Sequence, residues 1–164
     1  MKRYRLLPVT AICLFGWMLL PQFSNAQKNK DSLITDLVTS QHYRFVAQSA
    51  IPLNGRLRQL DSQYDLLVAA DKVVADLPYF GTAYFSPVNP AEGGIKFTSK
   101  DFDYNLVKRK KDGWDVLIKC KDITDPPNLD LTIYSNGKAT LQVTSNTRQG
   151  ISFNGYIVAP DKEK

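Results

Sequence analysis

From Tyr43 onward, apolar and polar side chains alternate in short runs with a period of two, the pattern of strands with one buried and one wet face. Tyr43, Phe45, Ala47, Ser49 and Ile51 are expected to share one face of a first strand, which Pro52-Leu-Asn-Gly55 ends. Arg56–Ser62 is polar and reads as irregular chain. Tyr64, Leu66, Val68 and Ala70 then alternate with Asp65, Leu67 and Ala69, Asp71-Lys72 predicts a tight turn, and Val73–Leu77 runs back. A meander follows, with strands at Ile95–Ser99, Phe102–Arg109 and Trp114–Lys121. In the last of these Trp114, Val116, Ile118 and Cys120 face one way, and Lys111-Asp112-Gly113 turns the chain before it. Leu129, Leu131 and Ile133 pair in pattern with Ala139, Leu141 and Val143 across Asn136-Gly137, a dipeptide that suits a type I′ hairpin turn. Ile151, Phe153 and Ile157 close the series.

One segment has the helical period instead. In Asp31–Gln41, Leu33, Ile34, Leu37 and Val38 form a single apolar stripe, and Asp31 or Ser32 can cap its start. The expected architecture is therefore mainly β in an α+β arrangement. One N-terminal helix packs on an antiparallel meander of eight to nine strands, curled into a barrel or half-barrel.

Leu77–Phe97 interrupts the alternation. It gathers Tyr79, Phe80, Tyr84, Phe85 and Phe97 around Pro78, Pro87 and Pro90, which cannot donate to a central ladder. This long loop either folds its rings into the core as a lid or presents them as a binding surface.

The first residues change the charge picture. Lys2, Arg3 and Arg5 precede an apolar run, Leu6–Leu20, and Phe23-Ser-Asn-Ala26 places a small residue before Gln27. That is the layout of a secretory leader, expected to be cleaved after Ala26 and too short for a comfortable membrane span. The formal charge of +5 then falls to +2, a balance that does not suggest nucleic acid. The remaining 138 residues, Gln27–Lys164, form one domain large enough to bury a core, with no integral span. Loss of Cys13 leaves Cys120 alone, so no intramolecular disulfide is expected. Cys120 shares the Trp114 face and reads as a small buried hydrophobe.

Candidate chemistry is sparse. His42 is the sole histidine, so no Ser–His or Cys–His pair has an obvious base, and no metal-ligand spacing accompanies it. Asp101-Phe-Asp103-Tyr-Asn105 resembles the opening of a calcium loop, but Leu106 stands where that loop needs glycine. Gly93-Gly94 precedes a strand rather than a helix and lacks the Lys-plus-hydroxyl pair of a phosphate cradle. Lys108-Arg-Lys-Lys111 is a basic run at a hairpin tip, and reads as a solvated turn. Asp103, Tyr104 and Arg148 are the polar residues an enzyme would have to use. No cofactor, no metal and no catalytic activity are expected.

Several stretches together resemble the domain of unknown function 4251 family of exported proteins from Gram-negative bacteria. They are Tyr43-Arg-Phe45 with Ala47 and Ala50-Ile-Pro52, Leu77-Pro-Tyr-Phe-Gly81, Gly93-Gly-Ile-Lys-Phe97 and Gly113-Trp114. Asn136-Gly-Lys-Ala139, and Asn146-Thr-Arg-Gln149 leading to Ile151-Ser-Phe153-Asn-Gly155, continue the likeness, which runs from about Asp31 to Val158. The resemblance implies an exported, single-domain, mainly β protein, and supplies no activity, substrate or catalytic residue. The expected location is the periplasm or the exterior. The expected function is non-catalytic binding of an apolar or lipid-like small molecule within the curled sheet. The alternative is an envelope interaction module that meets a protein partner through the Tyr79–Phe85 loop. Tyr79, Phe80, Tyr84, Phe85 and Arg148 are the candidate contact residues. An interior filled by Tyr43, Phe45, Trp114 and Phe153 would leave no room for the small ligand.

Overall fold

The structure, a computed structural model, describes residues 24–81, 93–124 and 127–160, with side chains from Asp31 onward other than Ser62. α1 (Ser24–Thr39) precedes β1 (Tyr43–Pro52), β2 (Arg58–Ala69), β3 (Lys72–Leu77), β4 (Ile95–Ser99) and β5 (Phe102–Lys108). β6 (Trp114–Cys120), β7 (Asn128–Ile133), β8 (Lys138–Thr144) and β9 (Ile151–Val158) complete the elements of the described residues. All nine strands pair antiparallel in the order β4-β3-β2-β1-β9-β8-β7-β6-β5. The two ends of that order, β4 and β5, are separated only by Lys100 and Asp101. The sheet must therefore curl until its edges meet, and it forms a nearly closed barrel. Asp122 holds the corner at that seam. Its carboxylate accepts the buried Ser99 hydroxyl and the Lys100 and Asp101 amides, at 2.7 and 3.2 Å for the amides. The Ser99 bond, followed by the backbone bonds, holds the Asp122 carboxyl below the usual range.

Alternation puts one face of every strand inside. Tyr43, Phe45, Leu66, Leu77, Ile118, Leu131, Leu141 and Phe153 are fully buried, and with Ile34, Leu37 and Val38 of α1 they belong to one core cluster. The interior is packed by its own side chains. Cys120 is buried among them, and burial pushes its thiol up, as a small core hydrophobe requires.

The antiparallel register sorts the connections into two groups. α1, the β2–β3 turn and the β7–β8 hairpin lie at one end of the barrel. The β1–β2, β3–β4 and β8–β9 connections lie at the other. At the first end, α1 finishes in a Schellman motif: the His42 amide donates to Leu37 O at 3.0 Å and the Gln41 amide to Val38 O at 3.3 Å. Gln41 takes the left-handed conformation this requires, at φ 52°. The Tyr104 hydroxyl on β5 then donates to Val38 O at 3.1 Å, and Tyr43 reaches the same hydroxyl at 3.4 Å. Because the Tyr104 proton goes to Val38, Tyr43 is the donor in that contact. Burial raises both phenols, Tyr43 well above its ordinary value.

Four local expectations are corrected. The helix begins at Ser24, so Asp31 and Ser32 lie within it instead of capping it, and it ends at Thr39. Ile51 faces outward, 36% exposed, because Gln48 is an extra residue between Ala47 (opposite Gly155) and Ser49 (opposite Asn154). This bulge shifts the inward face to Ala50 and Pro52. The polar stretch after Arg56 is not all irregular, since β2 starts at Arg58, paired with Ala50. Irregular register beyond Gln59 hides that strand from a period-two reading. Finally, of Asn136 and Gly137 only the glycine has positive φ, at 83°. The Gly137 amide donates to Tyr134 O at 2.9 Å, so the hairpin is a type I turn completed by a left-handed glycine, not type I′.

Candidate functional site

The loop end of the barrel brings together three of the five residues expected there. β3 stops at Leu77 because Pro78 has no amide to continue the ladder, and the chain turns with Tyr79 and Phe80 half-buried against the core. The Arg148 guanidinium, from the β8–β9 loop, lies over the Tyr79 ring at 5.4 Å from its centre. Arg148 Nη1 also donates to Gly94 O at 2.9 Å, just before β4. The Tyr79 hydroxyl donates to Gln149 O at 3.1 Å. Arg148 thus ties both described ends of the β3–β4 loop to the β8–β9 loop. Tyr84 and Phe85 lie outside the described residues.

Sequence reading missed the other half of this surface. Arg58, the first residue of β2, sits over the Phe80 ring at 4.9 Å. The Leu53 amide donates to Gly150 O at 3.2 Å, joining the β1–β2 connection to the residue after Gln149. That connection carries Leu53 and Leu57, 70% and 51% exposed, interleaved with the exposed Arg56 and Arg58. The available signal was two leucines spaced within a polar, glycine-containing turn, where no buried strand face calls for them.

The arrangement offers a contact surface. Its cations lie on ring faces, an attraction of about 0.5–1 kcal/mol each at such sites, and its hydrogen bonds run to backbone carbonyls. The residues an enzyme would need are dispersed. Asp103 is on the outer face of β5 with Lys121, Tyr104 points inward to Tyr43 and Val38, and Arg148 belongs to the loop end. Asp103 and Asn105 are exposed on that outer face, as alternation places them. Within the basic hairpin, Arg109 is half-buried, over the Tyr134 ring at 5.5 Å and 3.5 Å from Asp115, while its lysine neighbours are exposed. Among the described residues no group of three or more His, Cys, Asp or Glu side chains is placed to hold a metal ion. No described helix is long and apolar enough to cross a membrane.

Comparison with known proteins gives the same fold and no activity. No curated protein matches the chain. A crystal structure of a DUF4251 family protein from Bacteroides eggerthii DSM 20697 superposes with a TM-score of 0.60 at 14% identity, over 82% of this chain and 90% of that one. The family model for DUF4251, a domain of unknown function, matches residues 25–157, beginning within the first turn of α1 and ending one residue before the end of β9. Coverage of that extent makes this chain a member of the DUF4251 family.

Proposed function

We propose that this protein is an exported, non-catalytic interaction module of the cell envelope, which meets a protein partner at the loop end of its barrel. The observation that carries this reading is the exposure of Leu53 and Leu57 beside the arginine-held rings of Tyr79 and Phe80. Large apolar side chains that project from a turn, contiguous with half-buried aromatics, form the centre of a contact patch. Arg56, Arg58 and Arg148 rim it, so the complementary face on the partner is apolar with carboxylates around it. A small ligand inside the barrel fits the structure less well, because Tyr43, Phe45 and Phe153 are fully buried in one cluster with Trp114. The leader-like first 26 residues support export, and with it a contact outside the cytoplasm.

A photo-reactive amino acid at Leu57, expressed in cells with the native leader, tests the reading. Val107, 54% exposed on β5, is the control position. A discrete protein adduct from position 57 and none from 107 is expected, and a Leu53→Ser/Leu57→Ser double substitution removes the partner without lowering the melting temperature. The same adducts from both positions, or none from 57, would count against the loop end. Mass spectrometry of the purified protein is expected to give a chain starting at Gln27; a retained Met1 contradicts export.

A further inference from the structure

A second surface lies away from the loop end and is chemically unlike it. A groove of about 790 Å³ runs between α1 and the outer faces of β8 and β9. Leu33 of α1 and Tyr134, Tyr156 and Val158 form its rims, and these are four of the large hydrophobics left most exposed, at 54%, 37%, 37% and 36%. Gln48, Thr140 and Asn154 contribute polar groups to a lining that also holds Ile34, Leu37, Ala139 and Ile157. Alternation along β1 turns Gln48 outward with Arg44 and Val46, beside Asn154 and Gly155 on β9. Thr140 Oγ1 donates to Asn154 Oδ1 at 3.2 Å, which orients the amide so that its Nδ2 donors point away from Thr140. Gly155 is fixed as glycine because a Cβ there would come 1.9 Å from Val46 O.

We propose that this groove binds a neutral oligosaccharide. Three features of the groove select that ligand over others. Its polar side chains are amides, hydroxyls and Lys138, and among the described residues no carboxylate lines it, so it offers hydrogen-bond donors and acceptors to a ligand's hydroxyls. Its exposed rings, Tyr134 and Tyr156, are carried by the β7–β8 hairpin and by β9, where Tyr156 stands directly opposite Lys138. The Tyr156 ring beside these hydrogen-bonding side chains matches a pyranose, which has apolar C–H faces and polar edges. The strands beneath it, β1, β9 and β8, each have neighbours on both sides, so an extended peptide finds no free edge to pair with there.

The test is amide chemical-shift mapping of the 15N-labelled mature chain against a panel of neutral probes: maltotriose, cellotriose, mannotriose and N,N′,N″-triacetylchitotriose. At least one probe is expected to shift Gln48, Thr140, Asn154 and Tyr156 with saturable, millimolar or tighter affinity. Tyr156→Ala and Asn154→Ala are expected to weaken that probe about tenfold each with an unchanged melting temperature. Leu57→Ser, at the other end of the barrel, leaves its binding unaltered, which separates this site from the proposed partner surface. No shift at these positions with any probe at about 10 mM overturns the proposal. So do shifts that Tyr156→Ala does not weaken, or a preferential response of the groove to a short-chain alkyl detergent used as a parallel probe.

Discussion

The two ends of the barrel are closed in different ways. At one end α1 contributes buried aliphatic side chains, Ile34, Leu37 and Val38, and its last turn is fixed by its own Schellman bonds and by the Tyr43–Tyr104–Val38 chain. At the other end the closure consists of half-buried rings held by arginines and by single bonds to backbone carbonyls, with leucines beside them still in water. Burial is strong and indifferent to partners, whereas cation–ring contacts at a surface are weak and exchangeable. The helix end is therefore closed by burial, whereas the loop end is closed by exchangeable contacts beside the exposed Leu53 and Leu57.

That contrast sets the order of expected mutational effects. Leu37→Ala removes a buried aliphatic group from the helix end and is expected to cost about 2–4 kcal/mol in chemical denaturation. The matching truncation at the loop end, Phe80→Ala, is expected to cost about 1 kcal/mol, since half of the ring's environment is already solvent. Equal losses would erase the distinction. Tyr104→Phe comes next, at about 1–2 kcal/mol, because it strips a partner from buried Tyr43 and from Val38 O together.

Both tyrosines also make the helix end sensitive to alkali. Their folded pKa values lie above the unfolded one, so their contribution is intact below about pH 10 and is lost as the pH climbs through the folded values. A pH series of melting temperatures is expected to show that loss in the wild type and a reduced loss in Tyr43→Phe. Arg148→Ala is expected to cost less than about 1 kcal/mol while raising protease cleavage near Tyr79, with no change at α1. The smallest effect belongs to Gln41→Gly. It relieves a left-handed side chain at the helix terminus and is expected to stabilise by about 0.5–1 kcal/mol, part of the relief being offset by glycine's greater freedom when unfolded.

Much of this fold could be read from the period of the side chains. Strands such as β6, with Trp114, Val116, Ile118 and Cys120 inside, have a wet face and a dry face, and each residue reports its side directly. Reading failed where a backbone irregularity reset the count. The bulge at Gln48 turned Ile51 outward, and the irregular register of β2 hid Arg58 within a strand. The Asn-Gly turn was misassigned because the dipeptide serves two hairpin geometries, and only the positive φ at Gly137 distinguishes them. The start of α1 was missed since Ser24–Lys30 contributes no apolar stripe and overlaps the expected end of the leader. Arg148 and Tyr79 could be named separately, but their meeting could not. They lie 70 residues or nearly so apart, as the bond from Tyr79 to the neighbouring Gln149 shows, and only barrel closure brings them together. Leu53 and Leu57 were passed over because exposure is a property of the surface, which periodicity does not report.

Hydrogen exchange of the purified protein, resolved by segment, tests the asymmetry between the ends most directly. The account predicts that amides of Ile34–Thr39 exchange only through large-scale unfolding, while those of Tyr79–Gly81 and Ser145–Gly150 exchange through local opening, orders of magnitude faster. Protection of the two loop segments equal to that of α1 would contradict it, and would make the loop end as much a sealed closure as the helix end.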